Sequence, residues 1–363
     1  MEKLFSNVDE RLMEQEEERV EDDESECPVP PANIYSYNET RSCFDIVRML
    51  QDNDLCRTPD FQRSDVWEMP QKTRFIDSLL KKLPIPSMCF SVDSNDSYLV
   101  IDGKQRTGTI LEFLGKDVKP TFKLSILDDV DPRISGKTLE EIKEYNPEVI
   151  KAVGNLTIPI NVIKCDYSKK DNLNYIYKIF QRLNTGGLKL SNQEIRNCVY
   201  RGSFIKLINE CNNFTYWKSW VEKLAGDKRM KGQERILLFF CMYYDLDKYE
   251  NKLSTFMSDF LSLHQNEDED WINKQKLLFE RTLNVASKIK LKSFRNVYID
   301  AILYGIVKNI DSSEKKSIEQ LQQMYEKLLN DLAFSPEKLK DGTSNKTRLL
   351  ERYMAAKKIF GEK

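Results

Sequence analysis

Histidine is nearly absent from this chain of 363 residues, which contains only His264. The 8 cysteines are scattered, and no two of them form a Cys-x-x-Cys pair. Zinc ribbons and redox dithiols are built from such pairs. The scarcity of histidine excludes a His-rich metal site and argues against histidine-centred catalysis, and the cysteine spacing argues against a zinc ribbon or a dithiol.

Long apolar runs and a charge of one sign are also missing. No run approaches the roughly 20 residues that span a bilayer, and no secretory signal peptide is recognisable. We therefore expect a cytoplasmic protein with no membrane partner, whose thiols stay reduced. The formal net charge is −2, so no global basic field indicates nucleic acid, although a basic groove on one face stays open.

The first 31 residues have the composition of a tail. Acidic residues dominate positions 14–26, and prolines follow at positions 28, 30 and 31. Such a segment buries too little apolar surface to offset the entropy lost on ordering. We predict a flexible acidic tail over residues 1–31. An arm that mimics DNA or inhibits the protein is the alternative.

Two domains are expected after the tail. Residues 32–200 alternate short strand-like and helix-like segments and favour an α/β domain. Residues 201–363 carry successive amphipathic helical segments and favour an all-helical domain, so the fold class is α+β. The predicted helices of the first domain cover 71–82 and 105–114, and its predicted strands cover 88–92, 98–101, 122–127 and 158–163.

The loop from Asp102 to Arg106 lies between an apolar strand and a predicted helix. Gly103 lets the backbone approach a ligand, while helix amides and the cationic Lys104 and Arg106 converge on an anion, for which phosphate is the natural guest. Asp102 could hold a divalent ion or orient a water molecule. The alternative is a tight capped turn with solvated charges.

Two further segments carry polar residues beside structural signals. Gln62 and Arg63 are flanked by aromatic residues, which suits a phosphate contact beside a stacking surface. The alternative is a surface turn with two core aromatic residues. In the later segment a double glycine breaks a helix, and Ser191 with Glu194 forms a capping box. Polar residues around such a turn often line a cleft. The sequence gives no reason to expect that three of these polar residues are present because they are buried, namely Arg182, Asn184 and Arg196.

These three segments, in this order and spacing, resemble the N-terminal domain family of the GmrSD-type modification-dependent restriction endonucleases. Members share a Gln-Arg…Trp box, an Asp-Gly-Gln-Gln-Arg box and a Phe-x-Arg-x-Asn-x-Gly-Gly…Leu-Ser-x-x-Glu-x-Arg box. The resemblance runs from about Arg57 to Arg201. It implies a ParB/sulfiredoxin-like fold, binding and hydrolysis of a nucleoside triphosphate (NTP) with Mg²⁺, and antiviral defence against phage DNA.

The resemblance also implies roles for individual residues. Catalysis falls to Asp102, Gln105 and Arg106, and Asp102 is the expected metal ligand. Lys104 stands where the family usually has Gln, and its added charge favours phosphate binding over turnover. The residues matching the boxes are Gln62 and Arg63 in the first, Asp102, Gly103, Gln105 and Arg106 in the second, and Arg182, Asn184, Glu194 and Arg196 in the third. All of these except Glu194 are expected to contact the nucleotide. Lys104 is a further expected nucleotide contact.

Full-length relatives carry a His-Asn-His nuclease centre, which needs histidine as base and metal ligand. The single histidine of this chain cannot supply that centre. The leading expectation is therefore an NTP-binding and NTP-hydrolysing defence protein that senses or acts on DNA. One alternative is a non-enzymatic, nucleotide-gated DNA-binding module that recruits a separately encoded nuclease subunit. The other is a metal-dependent DNA nickase that uses the α/β cleft.

Overall fold

The computed structural model describes the chain in eight stretches and divides them into two compact units. The first unit contains residues 31–183 and Asn197–Val199, and the second contains Ser191–Arg196 and the residues from Tyr200 onward. The predicted tail, apart from its last residue, lies outside the described residues, as do Gln62, Arg63 and Asn184. The described stretches are 31–56, 67–116, 122–183, 191–223, 230–293, 295–340, 342 and 344–362.

A mixed five-stranded sheet forms the centre of the first unit, with strand order β1-β5-β3-β4-β2. β1 runs antiparallel to β5, β5 parallel to β3, β3 antiparallel to β4, and β4 parallel to β2. The strands are β1 (Tyr35–Ser42), β2 (Leu55–Cys56), β3 (Met88–Val92), β4 (Tyr98–Asp102) and β5 (Thr157–Lys164).

The strands predicted at 88–92 and 98–101 are confirmed as β3 and β4, which form an antiparallel hairpin. Its turn is held by Asp93, whose Oδ1 accepts hydrogen bonds from the amides of Asn95 and Ser97, each at 2.9 Å. Asp96 takes the left-handed conformation, with φ 57°. Short polar side chains such as Asp stabilise this geometry by bonding nearby backbone amides. Local turn chemistry therefore sets the register of the pairs next to the turn, from Val92–Tyr98 to Phe90–Val100. The register then shifts between Phe90 and Cys89, and Cys89 pairs with Asp102.

Six helices lie entirely within the described residues of the first unit. The helix predicted at 105–114 is confirmed as α3, which ends at Gly115. The helix predicted at 71–82 is confirmed as α2, which begins with Pro70 and a capping box of Glu68 and Gln71. Their apolar faces join the sheet in one core that includes Ile76, Ile110 and Phe90. The helices are α1 (Cys43–Gln51), α2 (Met69–Leu80), α3 (Lys104–Leu114), α4 (Leu139–Tyr145), α5 (Pro147–Asn155) and α6 (Lys170–Leu183).

The strand predicted at 122–127 is wrong. This segment makes one isolated bridge, between Lys123 and Thr138, and does not join the sheet. Its backbone is held instead by α2, because the amide of Ser125 donates to Thr73 Oγ1 at 2.9 Å, and by a return segment whose Gly136 amide donates to the Ser125 carbonyl at 3.1 Å. These non-local partners satisfy the backbone groups that a sheet would otherwise use. The strand predicted at 158–163 is confirmed as β5.

The second unit is mostly helical, as expected. Aromatic residues fill its core: Phe279 packs edge-on against Trp217 and Phe239, with ring centroids 5.6 and 5.2 Å apart. The α+β class is thus confirmed as a mixed sheet with helices followed by a mostly helical region. The helices that follow the first unit are α7 (Asn192–Val199, shared between the units), α8 (Ser203–Asn212), α9 (Thr215–Lys223), α10 (Lys231–Asp245), α11 (Leu253–Leu263), α12 (Glu269–Ala286), α13 (Asn296–Val307), α14 (Ile310–Ser313), α15 (Ile318–Leu329), α16 (Pro336–Lys340) and α17 (Lys346–Phe360).

None of the helices within the described stretches combines the length and the apolar character that crossing a lipid bilayer requires.

Candidate functional site

The turn between β4 and α3 depends on Gly103. This residue caps α3 in the left-handed conformation, with φ 99° and ψ 15°. A Cβ added there would lie 2.8 Å from Met88 Cγ, and side chains rarely adopt this φ. Glycine also has no side chain with which to cap the helix. The strand therefore passes directly into the amino-terminal turn of α3, where backbone amides and the helix dipole favour an anion.

Arg106 holds Asp102 in place. Its Nη2 donates to Asp102 Oδ2 at 2.7 Å and to the carbonyl of Ser87 at 3.4 Å, and its Nη1 donates to the carbonyl of Pro86. The Arg106 side chain is 14% exposed, whereas that of Asp102 is 49% exposed. Arg106 thus connects the end of β4 to the segment before β3, and the carboxylate of Asp102 is the group that faces solvent.

Gln105 links the first sequence box to this loop. Its Oε1 accepts a hydrogen bond from the amide of Trp67 at 3.2 Å. Trp67 packs edge-on against Phe75, with ring centroids 5.5 Å apart. Because Trp67 closes the first box, the structure brings the end of that box to the Asp-Gly loop. Lys104 is partly buried at the first position of α3.

The third box is divided between the two units. Arg182 is exposed in the last turn of α6, a helix that packs against β4 in the first unit. Glu194 completes the predicted capping box of α7, since its amide donates to Ser191 Oγ at 3.2 Å and its Oε2 accepts from the Ser191 amide at 2.6 Å. The capping box is confirmed, and Glu194 has an architectural role.

Arg196 lies in the interior of the second unit. Its guanidinium is fully buried and pairs with Glu234 Oε1 at 2.8 Å. It also donates to Ser254 Oγ at 3.0 Å and to Ser258 Oγ at 3.4 Å. These bonds connect α7 to α10 and α11. Sequence reasoning did not expect this burial, and nucleotide binding by Arg196 stays a prediction.

Sequence reasoning missed a polar row across the sheet. Asp102 on β4 is opposite Cys89 on β3, Cys89 is opposite Asn161 on β5, and Asn161 is opposite Asn38 on β1. Residues directly opposite each other on paired strands share one face of a sheet. Asp102, Asn161 and Asn38 are exposed there. No motif could reveal this row, because four separate strands contribute to it.

Cys89 is the inner member of this row and is not a nucleophile. Burial raises the pKa of its thiol to about 12, and the charge of Asp102 acts in the same direction. Thiolate, not thiol, is the reactive form of cysteine. The Cys89 side chain therefore stays protonated at neutral pH and supplies packing beside Asp102.

A magnesium–phosphate complex fits the donor groups of this loop. Within the described stretches, no group of three or more His, Cys, Asp or Glu side chains is placed to hold a metal ion. Mg²⁺ bound with a nucleotide commonly uses only one or two carboxylates together with phosphate oxygens and water. The half-exposed Asp102 beside the first amides of α3 supplies this kind of set.

Comparison with known proteins bears on the first unit. No curated protein and no solved structure matches the chain. A family model does match, that of the GmrSD restriction endonuclease, N-terminal domain, over residues 45–201. The matched range contains all three boxes and the Asp102–Arg106 loop. Residues 45–201 therefore form a member of the GmrSD restriction endonuclease N-terminal domain family, which is a component of restriction and defence systems.

Proposed function

We propose that the protein binds an NTP with Mg²⁺ at the loop from Asp102 to Arg106 and uses it in anti-phage defence that acts on or senses DNA. The observation that carries this proposal is the junction of β4 and α3. There a left-handed glycine sets a half-exposed carboxylate beside the start of a helix. Helix amino termini bind phosphate through their amides and dipole, and carboxylates bind Mg²⁺.

Asp102, Lys104 and Arg106 have distinct roles in this proposal. The amides at the start of α3 bind phosphate oxygens, and Lys104 adds positive charge. Asp102 Oδ2 pairs with Arg106, which leaves Oδ1 for the metal ion. Bound Mg²⁺ would neutralise phosphate charge. Arg106 acts through Asp102 and the Pro86–Ser87 carbonyls and is a positioning residue.

The remaining box residues extend the proposed site. Gln62 and Arg63 precede Trp67, whose amide is bonded to Gln105. The exposed Arg182 and the following Asn184 are further proposed nucleotide contacts, together with Gln105 and Gly103. We also propose that the mixed sheet of this unit has the ParB/sulfiredoxin-like arrangement that the family implies.

Nucleotide binding by the purified full-length chain tests the proposal. Each labelled NTP is titrated with and without Mg²⁺, and turnover is followed with and without phage DNA. We expect Asp102→Ala to weaken Mg²⁺-dependent binding at least tenfold. Asp129→Ala is the matched control, because Asp129 is an exposed aspartate paired with an arginine, Arg74, at 3.0 Å. If the wild-type chain binds no NTP, the proposal is wrong.

A nucleotide-gated DNA-binding module is the second candidate, and the single histidine of the sequence favours it over a self-contained His-Asn-His nuclease. In that case NTP binding changes DNA affinity without turnover, and cleavage requires a separately encoded nuclease. Turnover that Asp102→Ala abolishes would instead establish an NTPase. Metal-dependent nicking without NTP would identify a nickase in the α/β unit.

A further inference from the structure

β5 is an interior strand with an open stretch on one face. It lies between β1 and β3, and its residues Ile158, Ile160 and Val162 are buried in the core. On the opposite face Thr157, Pro159 and Asn161 are exposed, while Ile163 is buried. Alternate residues of a strand share a face. This face is therefore covered at the end of β5 and open along its first five residues.

The open stretch lies in register with the Asp102 loop, and the buried Cys89 lies between them. Asn161 is opposite Cys89, which is opposite Asp102, so Asn161 and Asp102 are two strands apart on the same face. Two strand spacings correspond to roughly 10 Å between backbones. That separation is comparable with the reach of a triphosphate chain. A nucleotide with phosphates at Gly103 can extend along the sheet to Asn161.

Ser87, in the segment before β3, is bonded to Asn161 and to the arginine that is paired with Asp102. Asn161 Nδ2 donates to Ser87 Oγ at 3.2 Å, and the carbonyl of Ser87 accepts from Arg106 Nη2 at 3.4 Å. The Asn161 amide keeps a second N–H and a carbonyl oxygen for a ligand. The orientation of the Asn161 amide is therefore set by Ser87, whose carbonyl also accepts from the arginine that is paired with Asp102.

The charge of the row changes along its length. Asp102 is the charged end of the row, with Lys104 and Arg106 in the adjoining first turn of α3, while Asn161 and Asn38 are neutral amides. A nucleotide has the same polarity, with charged phosphates at one end and neutral hydroxyls and base edges at the other. Amides donate and accept hydrogen bonds and so match the neutral half.

We infer that Asn161 binds the nucleoside half of the nucleotide whose phosphates bind at the Asp102–Arg106 loop. This inference rests on the proposed function and goes beyond the three boxes, none of which contains Asn161. Asn161 is then a specificity residue, because it binds a nucleotide but not a bare polyphosphate, whereas the Asp102 loop binds both.

Titration with two ligands tests the inference on the full-length chain. One ligand is the preferred NTP, and the other is inorganic tripolyphosphate, each with Mg²⁺. Loss of one or two hydrogen bonds weakens binding by about threefold to tenfold, so Asn161→Ala should lose NTP affinity by that factor. Its affinity for tripolyphosphate should not change. Ser87→Ala keeps the Asn161 amide but removes the hydroxyl that orients it, so this variant should lose less NTP affinity than Asn161→Ala.

Asn95→Ala is the matched control, because Asn95 is an exposed asparagine at the turn of the β3–β4 hairpin. Circular dichroism verifies that each variant is folded. If the wild-type chain binds NTP and tripolyphosphate with equal affinity, the inference is overturned, but the proposed phosphate site is not. Equal losses of both ligands in Asn161→Ala would also overturn it. A wild-type chain that binds neither ligand would overturn the proposed function itself.

Discussion

Replacing Arg196 by alanine tests whether this arginine stabilises the fold or binds a ligand. The guanidinium is fully buried and bonded to Glu234, Ser254 and Ser258. Alanine removes every one of these bonds and leaves the Glu234 carboxylate, which is 12% exposed, without its cation. We expect the variant to destabilise the helical unit, because Arg196 connects α7 to α10 and α11.

The size of the effect follows from the burial of the pair. Removing one partner of a buried ion pair costs about 3–5 kcal/mol. The partial exposure of Glu234 lets water reach its carboxylate, so the lower end, about 3 kcal/mol, applies. For a unit of this size, each kcal/mol shifts the melting temperature by about 2–4 °C, which gives a decrease of roughly 6–12 °C.

Tryptophan fluorescence during urea and thermal unfolding measures this loss. Trp217, Trp220 and Trp271 belong to the helical unit and Trp67 to the other, so the signal reports mainly on the unit that contains Arg196. A double variant with apolar residues of similar volume, Arg196→Met with Glu234→Met, should recover part of the stability. Replacing both ions removes the uncompensated buried charge.

Arg182→Ala is the matched control from the same sequence box. Arg182 is exposed, and exposed substitutions usually change stability by less than about 0.5 kcal/mol. We expect this variant to unfold like the wild type and to bind nucleotide more weakly. If Arg196→Ala keeps the wild-type unfolding midpoint and loses nucleotide binding, our assignment of Arg196 as structural is refuted.

Two further predictions concern stability. Burial raises the pKa of Cys43 and Cys89 to about 12, so these thiols stay neutral in the folded state. In the unfolded state they lose their protons above about pH 8.5. The free energy of unfolding should therefore fall above that pH by about 1.4 kcal/mol per pH unit for each thiol. Urea unfolding at pH 8 and pH 10 measures this loss, and an unchanged pH slope in Cys43→Ala would contradict it. Thr73→Val leaves the Ser125 amide without its acceptor and should cost about 1 kcal/mol in urea unfolding, with faster hydrogen exchange at Ser125. Ser78→Ala on the exposed side of α2 is its control, and equal stability of the two variants would disprove the role of Thr73.

Local signals in the sequence were enough for much of the first unit. The hairpin turn at Asp93, the helix that ends at Gly115 and the capping box of Ser191 and Glu194 each depend on residues close together in the chain. Side-chain periodicity and turn chemistry act over this short range. The three boxes also carried enough information to identify the GmrSD N-terminal domain family, which the family match over residues 45–201 confirms.

Non-local partners decided where the sequence pattern was ambiguous. The apolar run at 122–127 has the appearance of a strand, but the hydroxyl of Thr73 and a return segment bond its backbone outside the sheet. Strand propensity largely reflects the packing surface that a segment meets, and the segment alone does not contain that surface. The prediction failed because the competing partners are distant in sequence.

Residue types, their order and their short-range spacing determined the α+β class, the Asp-Gly turn and the family. Only the tertiary structure decided that Arg182 is exposed while Arg196 of the same box is buried, and that Asn161 lies in register with Asp102. Burial depends on which helices meet, and register depends on which strands pair. Both are long-range properties of the folded chain, so a linear motif cannot encode them by itself.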